Sequence, residues 1–364
     1  MRATAPWLGV LELHGLAQEL KPEEDAGPSG RRRHRLRTAA LAGASLGIVI
    51  ATFAYFVPTI ASYGEVWALV RELSWQWLVA LVAAAAVNVA TFAPPWQVAL
   101  PGLRFVRALE LTQASTALSI VAPAGAAVGA AGAYGMSRRW GFGRDEVARA
   151  VTLTSLWNQL LNLSFPVVAL FVLSITGDAT PALATAAFIG VAVLGVVLAG
   201  LVLVLVSNRL AHDLGDVAAR LTNWARGKLR RRPVTWAGVS FARFRDNVGD
   251  FLERRWPMLT LTSLAGSLSV FAVLLLSLRA LGVSGAQVSV AEAFGAWALV
   301  RIVASVPITP GGAGIVEAGL SGALVGFGGD NAGVVAAVLV YRFLTVVPTL
   351  LLGGVAALAM RRSR

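Results

Sequence analysis

The sequence of 364 residues has no cysteine, only three histidines, and little charge, with Asp, Glu, Lys and Arg making up 14% of the chain. The lack of cysteine excludes disulfides, thiolate metal sites and cysteine nucleophiles. His14, His34 and His212 all lie outside the apolar runs, so no metal-binding cluster is visible and no cofactor is expected. Soluble domains carry about a quarter charged residues. A chain with 57% hydrophobic residues and a mean hydropathy of +0.70 falls outside that class and reads as an all-α polytopic membrane protein. There is also no P-loop, no GxSxG, no HExxH and no clustered carboxylates, so an enzyme reading, such as a catalytic membrane transferase, has little support. The formal net charge of +12 could indicate nucleic acid. The basic residues, however, sit in short clusters beside apolar runs, where they act as topology signals and contacts for anionic lipid.

Crossing about 30 Å of hydrocarbon takes about 20 apolar residues. Six stretches have that length: 38–60, 76–98, 149–174, 181–206, 257–280 and 332–359. Two further apolar regions, 111–137 and 292–327, are broken by Pro and Gly into halves of about a dozen residues, too short to cross alone. Lys and Arg crowd into "RRRHRLR" (31–37), "LRFVR" (103–107), "SRRWGFGRDEVAR" (137–149), the 207–256 linker and the terminal "RRSR". The segments 61–75, 176–180, 281–291 and 328–331 contain Arg71 as their one Lys or Arg. By the positive-inside rule the first group is cytoplasmic, together with both termini of the chain. Each broken region then enters and leaves on one side, as a re-entrant hairpin or a tight pair of short helices.

The resulting division has a disordered basic tail over 1–37, with no apolar signal region before it, and a membrane domain over 38–360. A linker at 207–256 repeats Leu210, Leu214, Val217, Leu221 and Trp224 at helical spacing, as in an interfacial or a solvated connector helix. Within the membrane domain, repeat 1 covers about 111–174 and repeat 2 about 292–359. The repeats align "IVAPAGAAVGAAGAYG" (120–135) with "PITPGGAGIVEAGLSG" (307–322), Pro123 on Pro310 and Gly125 on Gly312. Each copy is followed by a GFGxD tag, at 141–145 and 326–330, whose Asp145 and Asp330 are expected helix N-caps. One copy starts inside and the other outside. That is an inverted-topology repeat, in which paired broken helices build a site near the bilayer midplane.

Charges at membrane depth persist only when something compensates them, because each costs at least about 2.5 kcal/mol at a helix centre. Glu317 follows the "PGGAG" turn, Arg301 lies in the opposite arm of the same hairpin, and Arg342 lies about ten residues into the last helix. Glu317 either lines a polar cavity, pairing with Arg301 or Arg342, or forms a salt bridge that only locks the hairpin. The arginines either bind a lipid phosphate or serve as counter-ions. Arg279, near an outer helix end, is expected to snorkel to the interface. Pro310, Gly311, Gly312 and Gly314 form a turn that opens a short helix, whose N–H groups could hold an anion or mark a mere helix break. Asn158, Gln159 and Asn162 either line the same cavity or bond between helices.

At "RIVASVPITPGGAGIVEAGL" (301–320) the chain resembles the lysylphosphatidylglycerol synthase transmembrane-region family, a flippase-like group. The family's Pro-x-x-Pro-Gly-Gly-x-Gly-x-x-Glu signature is filled by Pro307, Pro310, Gly311, Gly312, Gly314 and Glu317, and the resemblance covers roughly 36–360. It implies a lipid-handling role. In the best-known members this region moves an aminoacylated phospholipid between leaflets, and a separate soluble domain makes that lipid. Other members are associated with polyprenyl-linked sugars or glycolipids. No such synthase domain is expected here, since the chain stops at Arg364. The first hairpin departs from the family pattern, being rich in Ala and Gly and free of charge until Arg138.

The expected function is translocation of a phospholipid or lipid-linked head group across the cytoplasmic membrane. The alternative is a non-transporting partner or scaffold for cell-envelope lipid or glycan synthesis. The expected partners are membrane lipids, anionic or aminoacylated phospholipid or a polyprenyl-linked lipid, with no nucleic acid and with the oligomeric state open.

Overall fold

The computed structural model describes residues 63–122, 125–175, 238–305 and 312–362, together with position 195. The expected tail at 1–37, the spans at 38–60 and, position 195 apart, 181–206, and the linker up to 237 lie outside the described residues, as do Pro123, Pro307, Pro310 and Gly311. Every described element is a helix: α1 (Tyr63–Arg71), α2 (Trp75–Thr91), α3 (Pro94–Ala99), α4 (Phe105–Val121), α5 (Gly125–Arg139), α6 (Arg144–Ile175), α7 (Gly238–Ala280), α8 (Val290–Ser305), α9 (Ile315–Gly326) and α10 (Asn331–Arg362). Four segments are long and apolar enough to cross a membrane, Trp75–Ala99, Arg144–Ser174, Arg254–Ala280 and Asn331–Ala356, and they coincide with four of the expected spans.

These helices are apolar nearly all round, so neighbours rather than periodicity decide which face is buried. In α2, Leu81, Ala85 and Asn88 are buried at helical spacing, while Val79, Val82 and Val87 stay exposed. The buried stripe packs on α7, where Asn88 Nδ2 donates to Ser269 Oγ at 2.8 Å and the Thr91 and Ser269 hydroxyls lie 2.9 Å apart. Polar clamps of this kind hold helices together where lipid gives no hydrophobic drive.

Two boundaries differ from expectation. Residues 63–71 form the helix α1, packed on α10, within what the charge pattern made an outer loop. The end of the linker expected on the cytoplasmic side and the following span are joined: α7 runs 43 residues through Pro257, the position that had marked a boundary. Proline is tolerated there, as at Pro166 in α6 and Pro348 in α10, because membrane helices satisfy the freed carbonyl locally.

Both broken regions are pairs of short helices packed on each other, α4 with α5 and α8 with α9. The arms have 17, 15, 16 and 12 residues, so only α9 is as short as expected. At 1.5 Å per residue they measure about 25, 22, 24 and 18 Å, still under the ~30 Å of a hydrocarbon core. The first pair is drawn together by missing side chains: a Cβ on Gly129 would lie 1.9 Å from Ser119 Oγ.

The two halves pack reciprocally. The first arm of one pair, α4, lies against α10, and the first arm of the other, α8, lies against α6. Accordingly Phe165 and Ala169 of α6 join the buried cluster around Trp297, Leu320 and Val338, and Ala356 of α10 joins the cluster around Leu111, Tyr134 and Val147.

The turns after each pair also correspond, in a register the GFGxD tag does not give. Phe142 N–H donates to Ser137 O and Gly329 N–H to Leu324 O, each closing a helix around a positive-φ glycine, Gly141 (φ 91) and Gly328 (φ 108). The offset between these bonds equals the sequence offset between Pro123 and Pro310, whereas the GFGxD tags lie two residues out of step with it. Val283 N–H to Leu278 O, around Gly282, repeats the same turn at the end of α7, so this turn also occurs outside the two hairpins. Asp330 is an N-cap as expected, accepting from Gly333 N–H at 2.8 Å. Asp145 is not: α6 starts at Arg144, and Glu146 reaches back to Gly143 N–H at 2.9 Å.

Candidate functional site

The site begins at the turn into α9. Gly314 sits at φ 84, ψ −49, a conformation that a side chain would strain, and it starts the helix one turn ahead of Glu317. From the third position of α9, one Glu317 oxygen accepts from Gly314 N–H at 2.7 Å, satisfying an N–H group that the helix leaves unpaired. The other accepts from Arg342 Nε of α10 at 2.7 Å, and Glu317 is 5% exposed. Charges so buried recover their desolvation cost only with good geometry and further hydrogen bonds. Both conditions hold here.

Arg301 does not join that pair. Its Nε and Nη2 donate to Asn162 Oδ1 of α6 at 3.0 and 2.7 Å, and Asn162 Nδ2 in turn donates to Gln159 Oε1 at 3.3 Å. The guanidinium carbon stands 4.8 Å from the Trp297 ring centroid and 6.0 Å from that of Phe165. Arg301 is thus fixed by an amide from the other half of the chain and by an aromatic face one turn back on its own helix. Trp297 belongs to a cluster with Phe165, Phe271 and Phe294, at centroid distances of 5.1 to 6.0 Å.

Between these groups lies a partly open cavity of about 300 Å³, to which Asn162, Trp297, Arg301, Tyr341, Arg342 and Thr345 contribute along with apolar side chains. A smaller hollow of about 100 Å³ adjoins it and shares Asn162, with Gln159, Leu163 and Ile302 as its other walls. Ile120, at the end of α4, brings the first hairpin to the main cavity.

Of the residues singled out from the sequence, Arg301 and Arg342 face the main cavity, and Glu317 sits behind the wall, bonded to Arg342. Gln159 faces only the smaller hollow, and Asn158, exposed on α6, lines neither. Gly312 and Gly314 are buried at the start of α9, while Pro310 and Gly311 lie outside the described residues. Arg279 caps the end of α7, its two terminal nitrogens donating to Val283 O and Val288 O at 2.7 and 2.8 Å. Sequence reasoning missed Trp297, Tyr341 and Thr345. Their signal was spacing alone: Trp297 is four residues before Arg301, and Thr345 is three after Arg342.

The fold and this cavity define a multi-pass α-helical membrane protein with half-buried arginines on the wall of a cavity among its helices. A family model described as the lysylphosphatidylglycerol synthase TM region matches residues 42–353, and the chain belongs to that family. The family ties it to lipid-related processes in the membrane. A search of the curated proteins finds no match.

Proposed function

We propose that the protein is a non-catalytic translocator, carrying a phospholipid or lipid-linked head group between the leaflets of the cytoplasmic membrane. One observation carries this reading: a partly open cavity bearing half-buried arginines, walled by helices of both halves. Ionisable groups at membrane depth persist where they meet a substrate or a partner. A cavity between the halves of a pseudo-symmetric transporter is where substrate binds. The reciprocal packing of α4 on α10 and α8 on α6 supports an inverted repeat, in which the two short-helix pairs are re-entrant hairpins from opposite sides. The charge pattern of the loops supports cytoplasmic termini.

The test is leaflet exchange in proteoliposomes containing phosphatidylglycerol labelled with a reducible fluorophore. Added protein should speed the loss of the inner-leaflet signal to an impermeant reductant. Kinetics equal to those of protein-free vesicles would exclude translocation. One observation favours a second reading, a non-transporting membrane partner of cell-envelope synthesis: Glu317 is fully engaged by Arg342 and Gly314, as in a pin holding a fixed hairpin.

A further inference from the structure

We infer that the first half of α6 carries a hydrated groove through which a lipid head group passes between the cytoplasmic leaflet and the cavity. The inference rests on the head-group reading of the cavity and on the loop-charge topology, and it adds the route and the leaflet from which the site is filled.

The spacing of polar residues in α6 marks the groove. Thr152, Ser155, Gln159 and Asn162 recur at intervals of three, four and three residues, so they share one face of the helix. Thr152, Ser155 and Gln159 are exposed, as is Asn158 beside them, and Asn162 is half-buried. In the expected span 149–174, Thr152 lies near the cytoplasmic edge and Asn162 at the middle. At 1.5 Å per residue the stripe covers about 15 Å, half of a ~30 Å hydrocarbon core.

A hydroxyl or amide set against hydrocarbon without a partner is costly. Thr154, Ser164, Thr260 and Thr262 avoid that cost by donating to a carbonyl one turn back in their own helix, at 2.7 to 2.8 Å. Among the described residues, Thr152, Ser155 and Asn158 have no such side-chain bond. Water and a polar head group satisfy a stripe of this kind, and acyl chains do not.

The deep end of the stripe is a wall of the site itself. Gln159 and Asn162 line the smaller hollow, and Asn162 lines the main cavity as well. Leu163, 45% exposed, lines the same hollow and gives acyl chains an apolar edge. This continuity favours a head group over a second copy of the chain as the occupant, since a helix-to-helix contact needs no connection to the cavity.

Toward the other leaflet the cavity is backed by apolar packing. Phe165, Phe271, Phe294 and Trp297 form their cluster there, at centroid distances of 5.1 to 6.0 Å. By the loop charges α8 enters from the outer side, which puts Phe294, near its start, in the outer half. Residues 334–338 of α10, which precede the cavity's Tyr341 from that same side, are at most 1% exposed. The polar lining thus leads from the cavity to one leaflet, as alternating access requires of a state open to one side.

The chain has no cysteine, so single cysteines report access without background. The test places them at Ser155, Asn158 and Gln159, at Val168 on the exposed apolar second half of α6, and at Arg139 in the basic segment as a marker of sidedness. A membrane-impermeant, charged methanethiosulfonate is added to proteoliposomes and the modification followed by intact mass. Ser155→Cys and Gln159→Cys should react from the same side as Arg139→Cys and at least about tenfold faster than Val168→Cys, because the reaction needs water and a thiolate. Reagent attached at Gln159→Cys should slow leaflet exchange of labelled phosphatidylglycerol, and reagent at Arg139→Cys should not. Reaction at Ser155→Cys as slow as at Val168→Cys, or only from the opposite side, would overturn the inference. So would unchanged exchange in fully modified Gln159→Cys, or disulfide-linked dimers of Asn158→Cys that exclude the reagent, which would assign the face to a second copy. Failed access with leaflet exchange intact would remove the groove and leave the transport reading standing. Access from the marker side in a protein that exchanges no lipid would sustain the groove and remove the transport reading.

Discussion

Replacing Glu317 by Gln keeps the shape of the side chain and removes its charge. In the native protein the two carboxylate oxygens serve two donors, Gly314 N–H and Arg342 Nε, each at 2.7 Å. An amide has one oxygen. If that oxygen stays on Gly314, the amide nitrogen faces the Arg342 donor; if it turns to Arg342, the start of α9 loses its acceptor. Removing one partner of a buried ion pair costs about 3–5 kcal/mol, because the other charge is left in a poorly solvating place. The side chains are 17% and 6% exposed for Arg342 and Glu317, and the arginine borders a cavity that admits water. The lower end, about 3 kcal/mol, is therefore expected. The assay is equilibrium unfolding in mixed micelles followed by tryptophan fluorescence. A second substitution, Arg342→Met, should restore most of the loss, since it removes the stranded charge while the amide still accepts from Gly314. A Glu317→Gln protein within about 0.5 kcal/mol of the parent, or a double variant no better than the single, would refute this account of the pair.

The same unfolding assay checks the packing and the caps. At Gly353 a Cβ would lie 2.4 Å from Ala117 Cβ and 2.8 Å from Gln113 O, whereas at Gly354 nothing lies within 4 Å. Gly353→Ala should cost about 1–3 kcal/mol by forcing α10 off α4, and Gly354→Ala should be neutral or stabilising by up to about 1 kcal/mol. Asp330→Ala removes the acceptor for Gly333 N–H and should cost about 1 kcal/mol, whereas Asp145→Ala, which is not a cap, should cost less than half of that. Gly314→Ala should destabilise by about 1–3 kcal/mol through its positive φ.

Composition and loop charge made the helical membrane class and four of the spans legible, because about 20 apolar residues in a row have few other uses. The two broken regions were legible for the same reason in reverse: proline and glycine at membrane depth demand protein or water around them. The boundaries were less so. Pro257 marks an end in a soluble helix and none in α7. The GFGxD tags align in sequence, but the turns repeat two residues out of step with them, since a turn is defined by its hydrogen bonds and its positive-φ glycine.

At the site, the sequence exposed the charges and left their pairing open. Arg342 lies 25 residues from Glu317 and Arg301 lies 139 from Asn162, separations across which only the fold decides which groups meet. Arg279 was ranked by depth alone, yet it bonds two carbonyls beyond its own helix. The aromatic wall at Trp297 and Phe165 gave no sign of its own, because large apolar residues at helical spacing look the same whether they face lipid, a core or a cavity.

The central claim is that a lipid head group sits between the two halves, against Arg301 and Arg342. Photo-crosslinking tests it most directly, with phosphatidylglycerol carrying a photoactivatable group on its head, the protein in liposomes, and the labelled peptides mapped. Labelling is predicted at Asn162, Trp297, Tyr341 and Thr345, which line the cavity, and should be lost on competition with unlabelled phosphatidylglycerol. Labelling confined to exposed apolar positions such as Phe343, Leu351 and Val355 would place the lipid outside the protein and contradict the claim.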